Sequence, residues 1–374
     1  MDATATIRDI IAFAEIEKIP LCVLSIDFKN AFDNIAHEYL FQTLQKYGIS
    51  DPFIHGIRNM YEGASSNVQI NGHSYGPIPI QCGVRQGCPM SMMLYALCLQ
   101  PFLNFLNRKM AGIKIGNKTS STAVVAYADD VTIFVTHATE LAIVEEAINI
   151  LEKASGARIS PQKSKIITTG GWNTTETIRG IEYHQSATIL GVSFWGTTRQ
   201  TMDDTSARIT GKVRIHAQKT YDKDACLAHW MRYANTHLLS KLWYTAQILP
   251  APKTYTQRIT AAIAWYIWKG AVFKVPITTL QRSKSMGGWE MIHIEAKCRA
   301  LLLSRLYTQS RKEGTFTAEW MRSWHLTSEQ ENPPQNWKTL DKLKYLQVYA
   351  EDMAYIRFEN ERRPGTYDNT CIVN

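Results

Sequence analysis

The stretch from Ser121 to Val135, STAVVAYADDVTIFV, sets two adjacent carboxylates, Asp129 and Asp130, between two runs of β-branched and aromatic residues. Such runs read as two short strands with the acidic pair at the turn between them. Two carboxylates so close to an apolar sheet repel each other, so the arrangement calls for a neutralising cation. A bare Asp-Asp is more often a solvated acidic turn, and the surroundings decide. Upstream, Leu21 to Ile26 (LCVLSI) reads as a buried strand, and Asp27 stands at its end. Asp27 is therefore a candidate third ligand. Hard oxygen ligands of this kind suit Mg²⁺, and two such ions about 3.5–4 Å apart clamp the entering and departing oxygens of a phosphoryl transfer.

Working outward, residues 5 to 18 carry Ile7, Ile10, Ile11 and Phe13 at helical spacing, and Pro20 ends that helix. Helices are expected from about Ala36 to Tyr47 and Pro52 to Glu62, with Gly48 between them. NVQI, Asn71-Gly72 and, after a turn-rich stretch, IPIQ suggest two strands around an Asn-Gly turn. A long apolar helix follows from Met90 to Lys109. After the acidic hairpin come a helix from Thr139 to Ala154 stopped by Gly156, and β runs at Lys165–Thr169 and Ala187–Phe194. Strands and helices in this order imply an α+β unit, an antiparallel sheet packed on helices. Beyond Gly196 the β signal fades, and Thr205–Gln247 and Tyr255–Lys269 look helical around the Leu249–Pro252 breaker. The expected division is 1–196, then a helical domain at 197–312, then a helical extension at 313–374 with a disordered tail.

Composition narrows the class. The chain has 374 residues, is 45% hydrophobic and carries a net charge of +8. Residues 1–170 hold 14 basic against 15 acidic side chains, so the surplus lies in 171–374. No carboxylate occurs between Asp224 and Glu290, an interval that holds Arg232, Lys241, Lys253, Arg258 and Lys269 among tryptophans such as Trp230, Trp243 and Trp265. Bases that neutralise phosphates beside rings that stack are the composition of a nucleic-acid track; the plainer reading is a solvated helix face over a tryptophan core. The seven cysteines form no CxxC pair, which argues against a zinc ribbon and leaves reduced core thiols as the simpler reading. No run is long enough to span a membrane and no signal peptide is visible, so an intracellular address, nucleus or cytoplasm, is expected.

Five segments then carry a resemblance. LSIDFKNAFD (Leu24–Asp33), GVRQGCPMS (Gly83–Ser91), AYADD (Ala126–Asp130), ASGARISPQKSKII (Ala154–Ile167) and ILGVSF (Ile189–Phe194) resemble, in order, the palm motifs of LINE-class non-LTR retrotransposon reverse transcriptases. YADD alone is weak; five motifs in family order are specific. IWKG (Ile267–Gly270) and Met286-Gly287-Gly288 loosely resemble the region after the thumb of that class. The resemblance implies a right-hand polymerase palm with a remnant of the fingers, followed by an all-α thumb.

It further implies that Asp27, Asp129 and Asp130 hold two Mg²⁺ ions, with Mn²⁺ as a substitute. Phe32 would lie under the incoming sugar and reject a 2′-hydroxyl, Gln86 and Gly87 would contact the nucleotide, and Lys163 would stand near the triphosphate. Arg85, Tyr127, Ala128, Leu190 and Gly191 would face primer and template. Thumb contacts would come from Arg232, Lys241, Lys253, Arg258 and Lys269. Asp33 reads as a helix cap, and His37 receives no chemistry. The implied partners are an RNA template, a DNA primer or target, dNTPs and the element RNA as a ribonucleoprotein, with no membrane. Only 26 residues precede Asp27, where the family keeps its fingers, and Asn30 stands where it usually has Lys. A chain truncated at both ends is the resulting expectation, with a catalytically inactive nucleic-acid-binding remnant as the alternative to an RNA-directed DNA polymerase. A group II intron maturase relative would share the palm but should carry a further domain after the thumb.

Overall fold

The computed structural model describes residues 2–323 apart from 116–120, 175, 222–224, 269–274 and 313. Lys269, Cys371 and the expected helix and tail beyond residue 323 lie outside the described residues. Two compact units emerge, one of residues 17–190 and one of residues 2–16 with 191–323.

The first unit is built on a four-stranded antiparallel sheet in the order β4 (Val124–Tyr127), β5 (Asp130–Val135), β1 (Leu21–Ile26), β6 (Lys165–Thr169). β1 is flanked on both sides, which explains why its sequence is an almost unbroken apolar run rather than an alternation. Cys22, Leu24 and Ile26 on β1 and Val131, Ile133 and Val135 on β5 share one hydrophobic core with side chains of the helices α2 (His37–Lys46), α3 (Asp51–Tyr61), α4 (Ser91–Lys109) and α5 (Glu140–Ser155). α5 ends as expected at Gly156, which takes φ +77° and donates its N–H to Glu152 O.

Strands β2 (Ser65–Ile70) and β3 (His73–Pro79) form a separate hairpin around Asn71-Gly72, both at positive φ as a tight two-residue turn requires. β3 begins at His73, earlier than expected, because that turn consumes only two residues. The β run at Ala187–Phe194 is also two strands, β7 (Ser186–Ile189) and β8 (Val192–Trp195), because Leu190 and Gly191 turn the chain at φ +48° and +82°.

The second unit is helical. It comprises α1 (Asp2–Glu17), α6 (Thr198–Lys219), α7 (Leu227–Tyr233) running into a π-helical turn at Ala234–Leu238, α8 (Ser240–Ala246), α9 (Lys253–Trp268), the short α10 (Ile277–Leu280), α11 (Ile294–Ser310) and α12 (Phe316–Ser323). The continuous helical stretch expected from Thr205 is therefore broken in two places. Phe13 of α1 packs edge-on against Phe316 and Trp320 of α12, and the buried Asp9 accepts a 2.6 Å hydrogen bond from Thr317. Among the described residues no helix is long and apolar enough to cross a membrane. Only Cys22, Cys98 and Cys298 of the described cysteines are buried core thiols, each pushed up to about 12 by burial. Cys82 and Cys226 are exposed and Cys88 half-buried, because they sit on loops outside the cores.

Candidate active site

β1 and β5 pair in a register that sets Ile26 opposite Val131. One step further along both strands, Asp27 stands beside Asp130, and opposed residues of antiparallel strands have Cα atoms about 4.5–5.5 Å apart. Two positions separated by more than a hundred residues are thus brought together by backbone pairing. Tyr127 pairs with Asp130 across the β4–β5 hairpin, so Ala128 and Asp129 are its turn residues. Ala128 takes φ +54°, a conformation hairpin turns normally give to Gly or Asn. A strained alanine next to the acidic pair, beside an exposed Tyr127, is where a functional constraint would be sought.

The electrostatics agree with this proximity. Partial burial, then the charges of Asp129 and Asp27, push the Asp130 carboxyl above its usual range. The buried phenol of Tyr95 is pushed up chiefly by desolvation and next by the charge of Asp129. Asp27 Oδ2 is buried with no hydrogen-bond partner, and the nearest cation, Lys163 Nζ, stands 3.8 Å away, beyond hydrogen-bonding reach. Lys163 is 73% exposed, so that pair is weak. An orphaned, buried carboxylate oxygen beside a second carboxylate fits a divalent cation. The side chains are not drawn into a closed cage: among the described residues no three His, Cys, Asp or Glu form a ready cluster for a metal.

The loop carrying Lys163 is bolted to the end of β1. Ser164 Oγ accepts the Asp27 N–H at 3.0 Å and donates to Ser160 O at 2.8 Å, while Ser160 N–H donates to Asp27 O at 2.8 Å. The Gly83–Ser91 segment is fixed against the chain that follows Asp27. Gly83 N–H donates to Ile35 O and Val84 N–H to Phe32 O, and Gln86 Nε2 donates to Asp33 Oδ1 at 3.1 Å. A Cβ on Gly83 would lie 2.8 Å from the Asp33 backbone, so only glycine fits. Gly87 also has positive φ but faces open space. Arg85 donates to Met60 O at 2.6 Å and lies over the Tyr61 ring.

Two side chains, Tyr95 and Ser164, were given no part in the sequence reading, and a third, His37, was considered there and assigned no chemistry. Tyr95 packs on Phe32, His37 Nε2 is 2.9 Å from Gly83 O, and Ser164 holds Asp27. Asp33 is not a cap, because α2 starts four residues later at His37 and Asp33 binds Gln86 instead.

In the helical unit, Lys241 joins Arg208, Lys212 and Lys219 around a cavity of about 540 Å³ that also reaches Gly191. Arg208 donates to Gly191 O at 3.1 Å. Arg208, Lys212, Ile215 and Lys219 follow helical spacing on α6, a stripe visible in the sequence but outside the carboxylate-free interval. Arg258 lines a different cavity, and Arg232 and Lys253 line neither.

Comparison with known proteins follows the same line. Over 169 residues the chain is 36% identical to an uncharacterised 149 kDa protein of transposon TX1 from Xenopus laevis, covering 45% of this chain and 13% of that one. Over 131 residues it is 31% identical to the Pol polyprotein of the type-2 retrotransposable element R2DM of Drosophila melanogaster, covering 35% of this chain and 12% of that protein. The chain thus spans only a small part of the curated relatives it matches. A telomerase structure from Candida tropicalis aligns over 85% of this chain and 52% of its own, at 13% identity and a TM-score of 0.41. The family model described as reverse transcriptase (RNA-dependent DNA polymerase) matches residues 2–194, more than half of the chain and all five motif segments, and the chain belongs to that family.

Proposed function

We propose that this chain carries the nucleotidyl-transfer centre of an RNA-directed DNA polymerase from a non-LTR retrotransposable element. The observation that carries the reading is the β1–β5 register that sets Asp27 beside Asp130, with Asp129 in the adjoining turn. Mg²⁺, or Mn²⁺ in its place, would be held by Asp27, Asp129 and Asp130, and two such ions supply the charge stabilisation that in-line phosphoryl transfer needs. Phe32 bounds the sugar site and disfavours a 2′-hydroxyl. Gln86, with a donor and an acceptor, and Gly87, with no side chain, lie against the incoming nucleotide. Lys163 offers a cation to the triphosphate and a proton to the departing pyrophosphate. Tyr127 and Ala128 shape the primer end. Leu190 and Gly191 support the primer strand, and in the helical unit Arg208, Lys212, Lys219 and Lys241 offer a groove for nucleic-acid phosphates. Arg85 contacts template phosphate once it leaves Met60. In this reading the palm extends to residue 196 and the thumb follows from 197; the partners are dNTPs, an RNA template such as the element's own, and a DNA primer or target, met inside the cell.

The test is extension of oligo(dT) on poly(rA). Mg²⁺-dependent extension that falls to background in Asp129→Ala is expected. Salt-sensitive binding of the hybrid without any extension, for the chain alone and for a version with an upstream fingers segment added, would leave an inactive nucleic-acid-binding protein and defeat the proposal.

A further inference from the structure

A second cavity, of about 640 Å³, lies on the neighbouring flank of α6, between that helix and α9. Its volume falls within the roughly 300–1,000 Å³ usual for small-ligand clefts. Much of the lining is small, Ala207, Gly211 and the buried Ala217 from α6 and Ala261 and Ala262 from α9, so the trough is smooth. Its rim carries Arg214, Arg258 and the indole of Trp265, which is 41% exposed. Among the described residues neither arginine has a carboxylate partner, and Trp265 has no ring or cation stacked on it.

That combination specifies a ligand. An uncovered indole beside a smooth floor accepts a flat ring, and two unpaired guanidiniums accept phosphates in forked geometry. An apolar peptide would want deep pockets and would leave both charges unanswered. A base pair in a duplex cannot offer its face to Trp265, because its neighbours already cover it. We propose that the α6–α9 trough binds an unpaired nucleotide of a single-stranded segment, with its base on Trp265 and its phosphates on Arg214 and Arg258. The basic stripe formed by Arg208, Lys212 and Lys219 lies more than a third of a turn around α6 from the trough, so a duplex in that groove and a single strand in this trough would flank the same helix. The inference rests on the nucleic-acid reading of the helical unit and not on the carboxylates.

The test measures fluorescence anisotropy of the full chain with labelled oligo(rU) and oligo(dT) of twelve nucleotides, and with a twelve-base-pair blunt duplex. Trp265→Ala should weaken at least one of the single strands about 5-fold or more, since stacking on an aromatic is worth that much per base. Arg214→Gln should weaken it several-fold and flatten its salt dependence, Trp265→Phe should retain most of the affinity, and duplex affinity should stay within two-fold in all three. An unchanged single-strand affinity in Trp265→Ala, or an equal loss for duplex and single strand, overturns the proposal. If Trp265→Ala fails to fold, photocrosslinking of 4-thiouridine-substituted oligo(rU) to the unaltered chain decides. Adducts on peptides from 207–218 or 258–265 support the trough, and their absence there overturns it. Primer extension, read separately, shows whether the polymerase reading stands or falls on its own.

Discussion

The ring of Phe32 lies against that of Tyr95, with centroids 4.7 Å apart and planes inclined by 34°. Phe32 is half-buried at the end of the first motif, and Tyr95 is fully buried on α4, just after the second. The contact therefore locks the two motifs to each other, and the phenol beneath also feels the charge of Asp129. If Phe32 bounds the sugar site, Phe32→Val should raise ribonucleotide incorporation relative to dNTP about 10-fold or more, measured by competing rUTP against dTTP on a poly(rA) template. Tyr95→Ala should cost about 3–5 kcal/mol of stability, read by urea denaturation.

Glu140 should prove a structural carboxylate. It is buried, and it accepts hydrogen bonds from Ala111 N–H at 2.7 Å, Thr136 N–H at 2.9 Å, Thr136 Oγ1 at 3.1 Å and His137 N–H at 3.3 Å. Glu140→Ala strands three backbone donors, at a cost of about 3 kcal/mol or more. Glu140→Gln keeps one acceptor and should cost less. Equal stability of the two variants in denaturant melts would contradict this account.

Gly83 and Gly87 share a positive φ but not a setting. Alanine at 83 meets the Asp33 backbone, whereas alanine at 87 meets nothing within 4 Å. Gly87→Ala should cost only the conformational penalty of about 1–2 kcal/mol. Gly83→Ala should cost more and displace the segment that holds Gln86. Thermal melts of the two variants side by side check the order.

His216 gives a pH dependence with a defined sign. Burial first, then the charges of Lys241 and His237, hold its imidazole below the ordinary 6.5. The unfolded chain therefore takes up the proton more readily than the folded one. The stability this group contributes is complete above pH 6.5 and is lost as pH falls through the lowered folded value. His216→Gln should flatten the change in melting temperature between pH 8 and pH 5.5. Phosphates entering the groove should reverse the shift, so duplex binding should take up protons near pH 6.5.

The elements most legible in the sequence were those set by local chemistry. LCVLSI shows itself as a buried strand, Gly156 ends its helix, and Asn71-Gly72 marks its turn, because each signal lies within a few residues. Ser164 on Asp27, Tyr95 on Phe32 and Phe13 on Trp320 join positions 63 to 307 residues apart, and no periodicity encodes such pairings. The carboxylates were legible as separate strand-end residues; their adjacency follows only from the β1–β5 register.

That adjacency can be tested without any polymerase activity. Fe²⁺ placed in the Mg²⁺ site, with ascorbate and peroxide, cuts the backbone next to where it binds. Fragments ending near Asp27 and near Asp129–Asp130, suppressed by excess Mg²⁺ and lost in Asp27→Asn, are the expected result. Cleavage confined to one of the two strand ends, or unaffected by Asp27→Asn, would contradict a shared metal site.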